Sequence, residues 1–397
     1  WLKPVGPLRH LCAPGESDAM GAAACSEVLH GGGRAQAKER GPRPQELWHD
    51  KMQMSAASQA LFDGAQRGDA RGVLHALNVH GDPNCVNAAG YTALTLAVGG
   101  GFHEVSALLL QANGDADRAA AGVTPLMVAA AAGQVELIRM LLNCGASSLL
   151  TDQERGRTAL HRASQRGHAE AVRLLLGGGA MVDAGDLEGC TPLMLAAEDG
   201  REGALRLLLR AGANAAAGDR EGRSSLARVV ENGHEACLEA LLQSGVHADA
   251  GNEPVLLAAA RRGSMPLCRR LLESQATVNL ASGQRETALM AAARGGHAEV
   301  VHLLLRAGAD TRPRDLQGYT ALMHGAAGGS ASAVSVLLDF GALPSAGSAV
   351  DLNSPLTVAA LNGHTEAYSV LVNAGSVVPA VVSKFVHDDV SLVGRKK

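Results

Sequence analysis

The sequence predicts an all-α repeat solenoid, and three observations predict it. A short motif returns about every 33 residues through most of the 397-residue chain, which is the spacing of stacked helical units. Aromatic residues make up 2% of the chain against 47% hydrophobic residues, so many small Ala and Leu contacts must do the work that rings do in compact cores. The 48 glycines recur at fixed offsets within the motif, as helix-ending residues do. Length alone would suggest two or three globular domains, and the repeat overrides that expectation.

The frame is set by a Thr or Ser at Thr92, Thr124, Thr158, Thr191, Ser224, Thr287, Thr320 and Ser354, with weaker copies at Gln59 and Pro254. Positions not used to set the frame test it. Two residues on, all ten copies have Leu: 61, 94, 126, 160, 193, 226, 256, 289, 322 and 356. Nine residues on, all ten have Gly: 68, 101, 133, 167, 200, 233, 263, 296, 329 and 363. Seventeen residues on, nine have Leu; the tenth is Ala76, where Leu77 and Gly81 suggest a one-residue insertion.

Each position has a physical role. The Thr or Ser hydroxyl caps a first helix. Pro125, Pro192 and Pro355 follow at the first helical position, where a missing N–H costs nothing. The Leu and the Ala pairs (129/130, 196/197, 292/293) share one face, and Ala there lets neighbouring helices approach closely. The uniform Gly ends the first helix in a left-handed conformation. A second helix follows, with Leu triplets at 174–176, 207–209 and 303–305, and a second Gly (145, 179, 212, 245, 308, 341, 375) closes it. The link to the next copy often reads Asp-x-x-Gly, as in Asp186–Gly189, Asp219–Gly222 and Asp315–Gly318, which is turn chemistry for an extended finger.

These copies (GYTALTLAV, GVTPLMVAA, GRTALHRAS, GCTPLMLAA, GYTALMHGA) resemble the ankyrin-repeat family, whose pattern is G-x-TPLH-x-AA…GH…V-x-LLL-x-x-GA. The resemblance covers residues 55–376, about ten repeats. It implies helix–turn–helix units joined by β-turn fingers and stacked into a curved solenoid. The family's His after TPL survives only as His161; Met stands there at 127, 194, 290 and 323, a flexible apolar filler.

The flanks read differently. Residues 1–54 have scattered Pro and Gly and no sustained period, so disorder is expected. The chain opens on Trp rather than Met, as a fragment or a clipped gene model would. Residues 377–397 are expected to form a tail that caps the last repeat. Within the array, the Ser224 copy is short, has Val229/Val230 in place of Ala-Ala, and is followed by Gln275 where Gly is usual; two weak units in series suggest either a hinge or partner-specific distortion near 245–285 or plain sequence drift.

No motif for catalysis is found. The chain has no Gly-Lys dipeptide and hence no P-loop, and no G-x-S-x-G or H-E-x-x-H. His168, His234, His297 and His364 recur once per repeat at the same Gly-His step, so stacking spaces them too widely to share a metal. The seven Cys are scattered without a CxxC pair, which indicates neither a zinc site nor a disulfide framework and fits reduced thiols in a cytoplasmic or nuclear protein. No cofactor, metal or catalytic residue is expected. A net charge of -4 argues against nucleic acid, and no apolar run approaches the ~20 residues of a membrane span. Of 35 basic residues only six are Lys, none between Met52 and Ser383, a bias that matches the abundance of Ala, Gly and Arg.

Function is therefore expected on the surface. The resemblance implies protein partners at the finger tips and along the inner groove. On the fingers these positions are Tyr91, Glu154, Arg155, Arg157, Asp186, Glu188, Asp219, Arg220, Glu221, Arg223, Arg285, Arg314 and Tyr319; on the first helices they include Arg162, Arg166, Glu198, Asp199, Arg228, Glu231, Arg261, Arg262 and Arg294. Tyr and Arg are enriched at interface hot spots. The charge order along the chain alternates, which favours a partner with patterned charge over a uniform polyanion. The expectation is a monomeric, non-enzymatic scaffold or adaptor. The alternative is the targeting arm of an enzyme, such as a kinase or ubiquitin ligase, whose catalytic domain lies outside this chain.

Overall fold

The computed structural model describes residues 56–120, 122–251, 254–344 and 354–376. The expectations for 1–54 and 377–397 lie outside the described residues. Twenty helices are present among the described residues, in ten pairs. The pairs are Ala56–Arg67 with Ala70–Asn78, Ala93–Gly99 with His103–Gln111, Pro125–Ala132 with Val135–Asn143, Ala159–Arg166 with Ala169–Gly177, and Pro192–Glu198 with Glu202–Arg210. They continue with Ser225–Asn232 and Glu235–Gln243, Val255–Arg262 and Met265–Glu273, Ala288–Arg294 and Ala298–Arg306, Ala321–Ala327 and Ala331–Asp339, and Pro355–Leu361 and Thr365–Asn373. This is the all-α repeat class that the periodicity predicts. The chain forms two compact units. One runs to Ala163 and includes Glu170–Met181; the other comprises Ser164–Ala169 and the chain from Val182 onward.

The first helices start where a hydroxyl can cap them. The side chains of Thr92, Thr124, Thr191, Thr287 and Thr320 accept from the amide three residues on, and Ser224 and Ser354 do the same. Each such cap stabilises its helix by about 1 kcal/mol. At Thr158 the arrangement is elaborated: His161 Nδ1 accepts the Thr158 N–H at 3.1 Å and lies 2.9 Å from its hydroxyl. Where His161 has no counterpart, Thr95 and Thr357 bond the capping hydroxyl at 2.8 and 2.7 Å.

The core follows the frame. All ten Leu at the second position are at most 2% exposed, and the seventeenth-position residues from Ala76 to Leu371 are at most 1% exposed. Consecutive first helices such as Ala93–Gly99 and Pro125–Ala132 in the first unit, and Val255–Arg262 and Ala288–Arg294 in the second, pack on one another, and these helices also pack on their own second helices. All ten glycines at the ninth position are left-handed, with φ from 67° to 83°. A second reason for Gly appears here. In most repeats the residue that opens the second helix lies against the Gly of the preceding repeat, so a Cβ at Gly200 would come 2.5 Å from the His234 ring, and one at Gly68 2.5 Å from the Phe102 ring; at Gly233 the neighbour is instead the Arg262 guanidinium.

Two details differ from the sequence expectation. Gln59 caps nothing: it lies inside a helix that begins at Ala56, because its short-range neighbours Ala56 and Ala57 extend the helix without a turn residue to stop it. No residue is inserted before Ala76 either. Ala76 fills the buried seventeenth position at 1% exposure, and the left-handed residue that closes the helix is His80, φ 64°, in the site where other copies place Gly. Gly81 simply follows it. Asn113 and Gln275 occupy the same left-handed site at φ 62° and 64°. Around the expected hinge, Val229 and Val230 are fully buried, and Asp249 accepts bonds from the Thr277 amide and hydroxyl.

Candidate partner-binding surface

The fingers are built by one side chain each. Asp186 Oδ1 accepts the amides of Glu188 and Cys190, Asp219 Oδ1 those of Glu221 and Arg223, and Asp315 Oδ1 those of Gln317 and Tyr319, all at 2.8–3.0 Å. Asn87 plays the same part for Ala89 and Tyr91. The turn is then clasped to the first helix. The fourth residue after the capping position reaches back to the finger carboxylate: Arg162 to Asp152 at 2.9 Å, Arg228 to Asp219 at 2.6 Å, and His324 to Asp315 at 2.8 Å. Adjacent fingers join through the Arg220 amide on the Glu188 carbonyl (3.0 Å) and the Leu316 amide on the Gln284 carbonyl (3.2 Å).

These clasps set the electrostatics. Burial alone would raise the Asp219 carboxyl, but the Arg223 amide and the Arg228 guanidinium outweigh it and hold it below its ordinary range. Asp152 and Asp315 are lowered in the same way against burial, Asp152 by the Arg155 amide and Arg162, Asp315 by the Tyr319 amide and His324. Burial lowers His324, helped by the charge of Arg294 and opposed by its bond to Asp315. The buried thiols are poor nucleophiles: burial raises Cys237 to about 11 and Cys268 to about 12. Among the described residues, no group of three or more His, Cys, Asp or Glu is placed to hold a metal ion, and no helix is long and apolar enough to cross a membrane. Three Gly-His histidines are used structurally. His234, His297 and His364 each meet, through Nε2, a backbone carbonyl of the preceding repeat: Glu198 at 2.9 Å, Arg261 at 3.3 Å and Ala327 at 2.9 Å.

Two charge clusters lie in the second unit, and their layering is opposite. In the first, Arg228 is the buried member, its side chain 7% exposed, bonded to Glu198, Asp219 and the Cys190 sulfur, while Glu198 is 45% exposed. In the second, Glu286 is the buried member, its side chain 11% exposed, bonded by Arg261 at 58% and Arg294 at 52%. One surface is therefore faced with carboxylate and the other with guanidinium. Beside the second, a cavity of about 500 Å³ opens between two fingers and a first helix, lined by Glu286, Arg294, Asp315, Leu316, Tyr319 and His324 among others.

The residues expected to face a partner divide three ways. Arg155, Arg166, Glu188, Glu198, Asp199, Arg220, Arg223, Glu231, Arg261, Arg262, Arg294 and Arg314 are exposed, as are Glu154, Glu221 and Arg285. Tyr91, Arg162 and Tyr319 are half-buried. Arg157, Asp186, Asp219 and Arg228 are buried; the last three serve the finger turns and clasps, so they offer no free surface. Tyr91 and the residues to Arg162 belong to the first unit, and those from Arg166 onward to the second. Sequence reasoning missed Glu286 and His324. The available signal was position: Glu286 immediately precedes the capping Thr, where Tyr91 and Tyr319 stand in their own copies, and His324 is the counterpart of Arg162 and Arg228.

Comparison with known proteins agrees with this architecture. The family model described as ankyrin repeats (3 copies) matches residues 61–152, 146–219, 226–315 and 256–347. A probable E3 ubiquitin-protein ligase, XBOS31 of Oryza sativa subsp. japonica, is 40% identical over 127 residues, which are 30% of this chain and 28% of the relative. The ankyrin repeat and KH domain-containing protein mask-1 of Caenorhabditis elegans is 42% identical over 104 residues, 26% of this chain and 4% of that protein. The chain thus spans less than a third of the length of either relative. Among solved structures, the human ASB11 ankyrin repeat domain aligns with a TM-score of 0.50 at 31% identity, covering 56% of this chain and all of that one. The ankyrin repeat domain of Bcl-3 aligns with a TM-score of 0.50 at 28% identity, covering 55% and 99%.

Proposed function

The chain belongs to the ankyrin-repeat family, and on that premise we propose that it is a non-enzymatic scaffold or adaptor, binding protein partners through the fingers and first-helix faces of its array. The observation that carries this reading is a division of labour inside each repeat. The Leu and Gly positions are uniform, eight of the ten capping positions are Thr or Ser, and all the Leu and Gly are buried or backbone-constrained. The finger and first-helix faces differ from copy to copy and carry exposed charge, as at Arg166, Asp199, Glu231 and Arg262. Positions that vary without disturbing the stack are the ones on which recognition is written in repeat proteins. Proximity labelling in cells tests it, comparing the intact chain with an Arg166/Arg261/Arg262/Arg294→Glu variant. The labelled protein set should lose its main members in the variant. An unchanged set would argue against these faces as the binding site.

A second reading has one observation in its favour. The rice relative bears the name of a probable ubiquitin ligase, which fits an array serving as the recruiting arm of an enzyme. Sequencing the full-length transcript discriminates: further coding sequence with a catalytic domain supports the arm, and its absence leaves the adaptor reading.

A further inference from the structure

Seven residues after the capping position, the first helix presents one side chain per repeat. Six of the ten copies place Gln66, Gly99, Ala131, Gln165, Ala327 and Leu361 there, so the fold does not require charge at this position. The other four are consecutive and ordered: Glu198, Glu231, Arg261, Arg294. All four are exposed and all lie in the second unit. The oppositely layered clusters explain how the two halves keep their sign. Arg228 lies buried beneath Glu198, and Glu286 lies buried beneath Arg261 and Arg294, so three of the four outward charges are held in place by an opposite charge underneath. The outward face therefore changes from acidic to basic between Glu231 and Arg261.

Resting on the reading of this chain as a protein-interaction array, we propose that this row docks one extended segment of a protein partner that carries a basic cluster and an acidic cluster. The basic cluster lies on Glu198 and Glu231, and the acidic cluster on Arg261 and Arg294. The centres of the two halves are two repeats apart. At ~10 Å per helix layer that is roughly 20 Å, and an extended chain covers it in about six residues at ~3.3 Å each. The row ends beside the cavity of about 500 Å³ lined by Arg294, Leu316 and Tyr319. A cavity of that size between two fingers takes a side chain of the segment, an apolar or aromatic one against Leu316 and Tyr319, rather than the surface of a second folded domain.

The test is fluorescence anisotropy of the full chain with fluorescein-labelled peptides: three Lys, a three-residue Gly-Ser spacer that sets the cluster centres about six residues apart, then three Glu and a Phe; versions with no spacer and with a twelve-residue spacer; and all-Lys and all-Glu controls. The bipolar peptide with the three-residue spacer should bind roughly tenfold more tightly than either single-sign control, and its affinity should fall as salt rises from about 50 to about 300 mM. Glu231→Gln and Arg294→Gln, both at exposed positions, should each weaken it several-fold, with the melting temperature recorded alongside to confirm folding. Equal binding of the single-sign peptides, or indifference to spacer length and to both variants, overturns the proposal. A 20-nucleotide single-stranded DNA binding more tightly than the peptide, with the same dependence on Arg294, reassigns the basic half and also overturns it. So does self-association that both variants abolish, since the row read antiparallel complements a second copy of itself. If peptides ignore the row while proximity labelling still depends on the array, the row falls and the adaptor reading stands. If labelling is indifferent too, both fall.

Discussion

Replacing Gln275 by Gly should stabilise the protein, and replacing Gly308 by Gln should destabilise it by a similar amount. Both residues close a second helix at the same repeat position, with φ 64° at Gln275 and 90° at Gly308. An L-residue in the left-handed region costs about 1–2 kcal/mol. Part of that is cancelled in the Gly form, because Gly gives the unfolded chain about 0.4–1 kcal/mol more entropy to lose. The expected net gain for Gln275→Gly is therefore about 0.5–1 kcal/mol. No packing term confuses the mirror experiment, since a Cβ built on Gly308 meets nothing within 4 Å. The bond from the residue 275 amide to the Leu272 carbonyl, 3.0 Å, is kept by Gly. A stack of repeats opens locally rather than all at once, so native-state hydrogen exchange is the right assay. Amides of Leu271, Leu272 and Ala276 should exchange roughly two- to fivefold more slowly in Gln275→Gly, at 1.4 kcal/mol per tenfold. Unchanged exchange in both variants would show that the left-handed site carries no strain, and would remove backbone conformation as the reason Gly recurs there.

Three further outcomes follow from the clasps and the weak repeat. Arg228→Met should cost about 3 kcal/mol in urea denaturation, because it strips the buried Asp219 carboxylate of its closest cation; a loss below about 1 kcal/mol would mean that Arg223 and the finger amides suffice. His324 is held below its ordinary range chiefly by burial, so the folded chain favours its neutral form and the unfolded chain takes up the proton first as pH falls. Its contribution is thus full above about pH 6.5 and declines below it, and His324→Gln should flatten the fall in melting temperature between about pH 7 and pH 5. Asp315 adds a loss of its own only below the ordinary carboxylate range, since its folded form is stabilised as the anion. Finally, with Val229 and Val230 fully buried and Asp249 tied to Thr277, amides of 255–273 should be protected to within about tenfold of those of 288–306; much faster exchange at 255–273 would support the hinge expected near 245–285.

The positions that read most clearly in the sequence are those with a single physical solution. Leu at the second position and Gly at the ninth repeat in all ten copies, and Leu at the seventeenth and the capping hydroxyl in nearly all, and these residues fell where the period placed them. The left-handed sites at His80, Asn113 and Gln275 were harder, since the backbone there keeps its conformation without the residue that would advertise it. Ala76 misled for the related reason that a small residue can fill a Leu site. The surface was legible as a set of charges but not as an arrangement. Asp219 and Asp186 look like solvated finger acids in the sequence, yet each is committed to two backbone amides. Arg228 and Arg261 look alike in sequence, yet one is buried under a carboxylate and the other lies over one. Sign and position can be read from a repeat; depth depends on a partner in the adjacent copy.

Depth is also what separates stability from recognition here. A buried charge with several donors, such as Asp219, cannot be altered without loosening its finger, so it is fixed by folding. The guanidiniums of Arg261 and Arg294 each lean on Glu286 while remaining more than half exposed, and surface pairs of this kind contribute at most about 1 kcal/mol. Stability is thus a weak reason to keep two arginines on one glutamate. Their pairing does something else: it holds long side chains in one geometry, so less rotamer freedom is lost when a partner arrives. Glu198, braced by Arg228, is prepared in the same way with the opposite sign. Two preorganised and oppositely charged faces on consecutive repeats reject a ligand of single sign as firmly as they accept one of matched polarity, and that selectivity is a property the stack alone would never need.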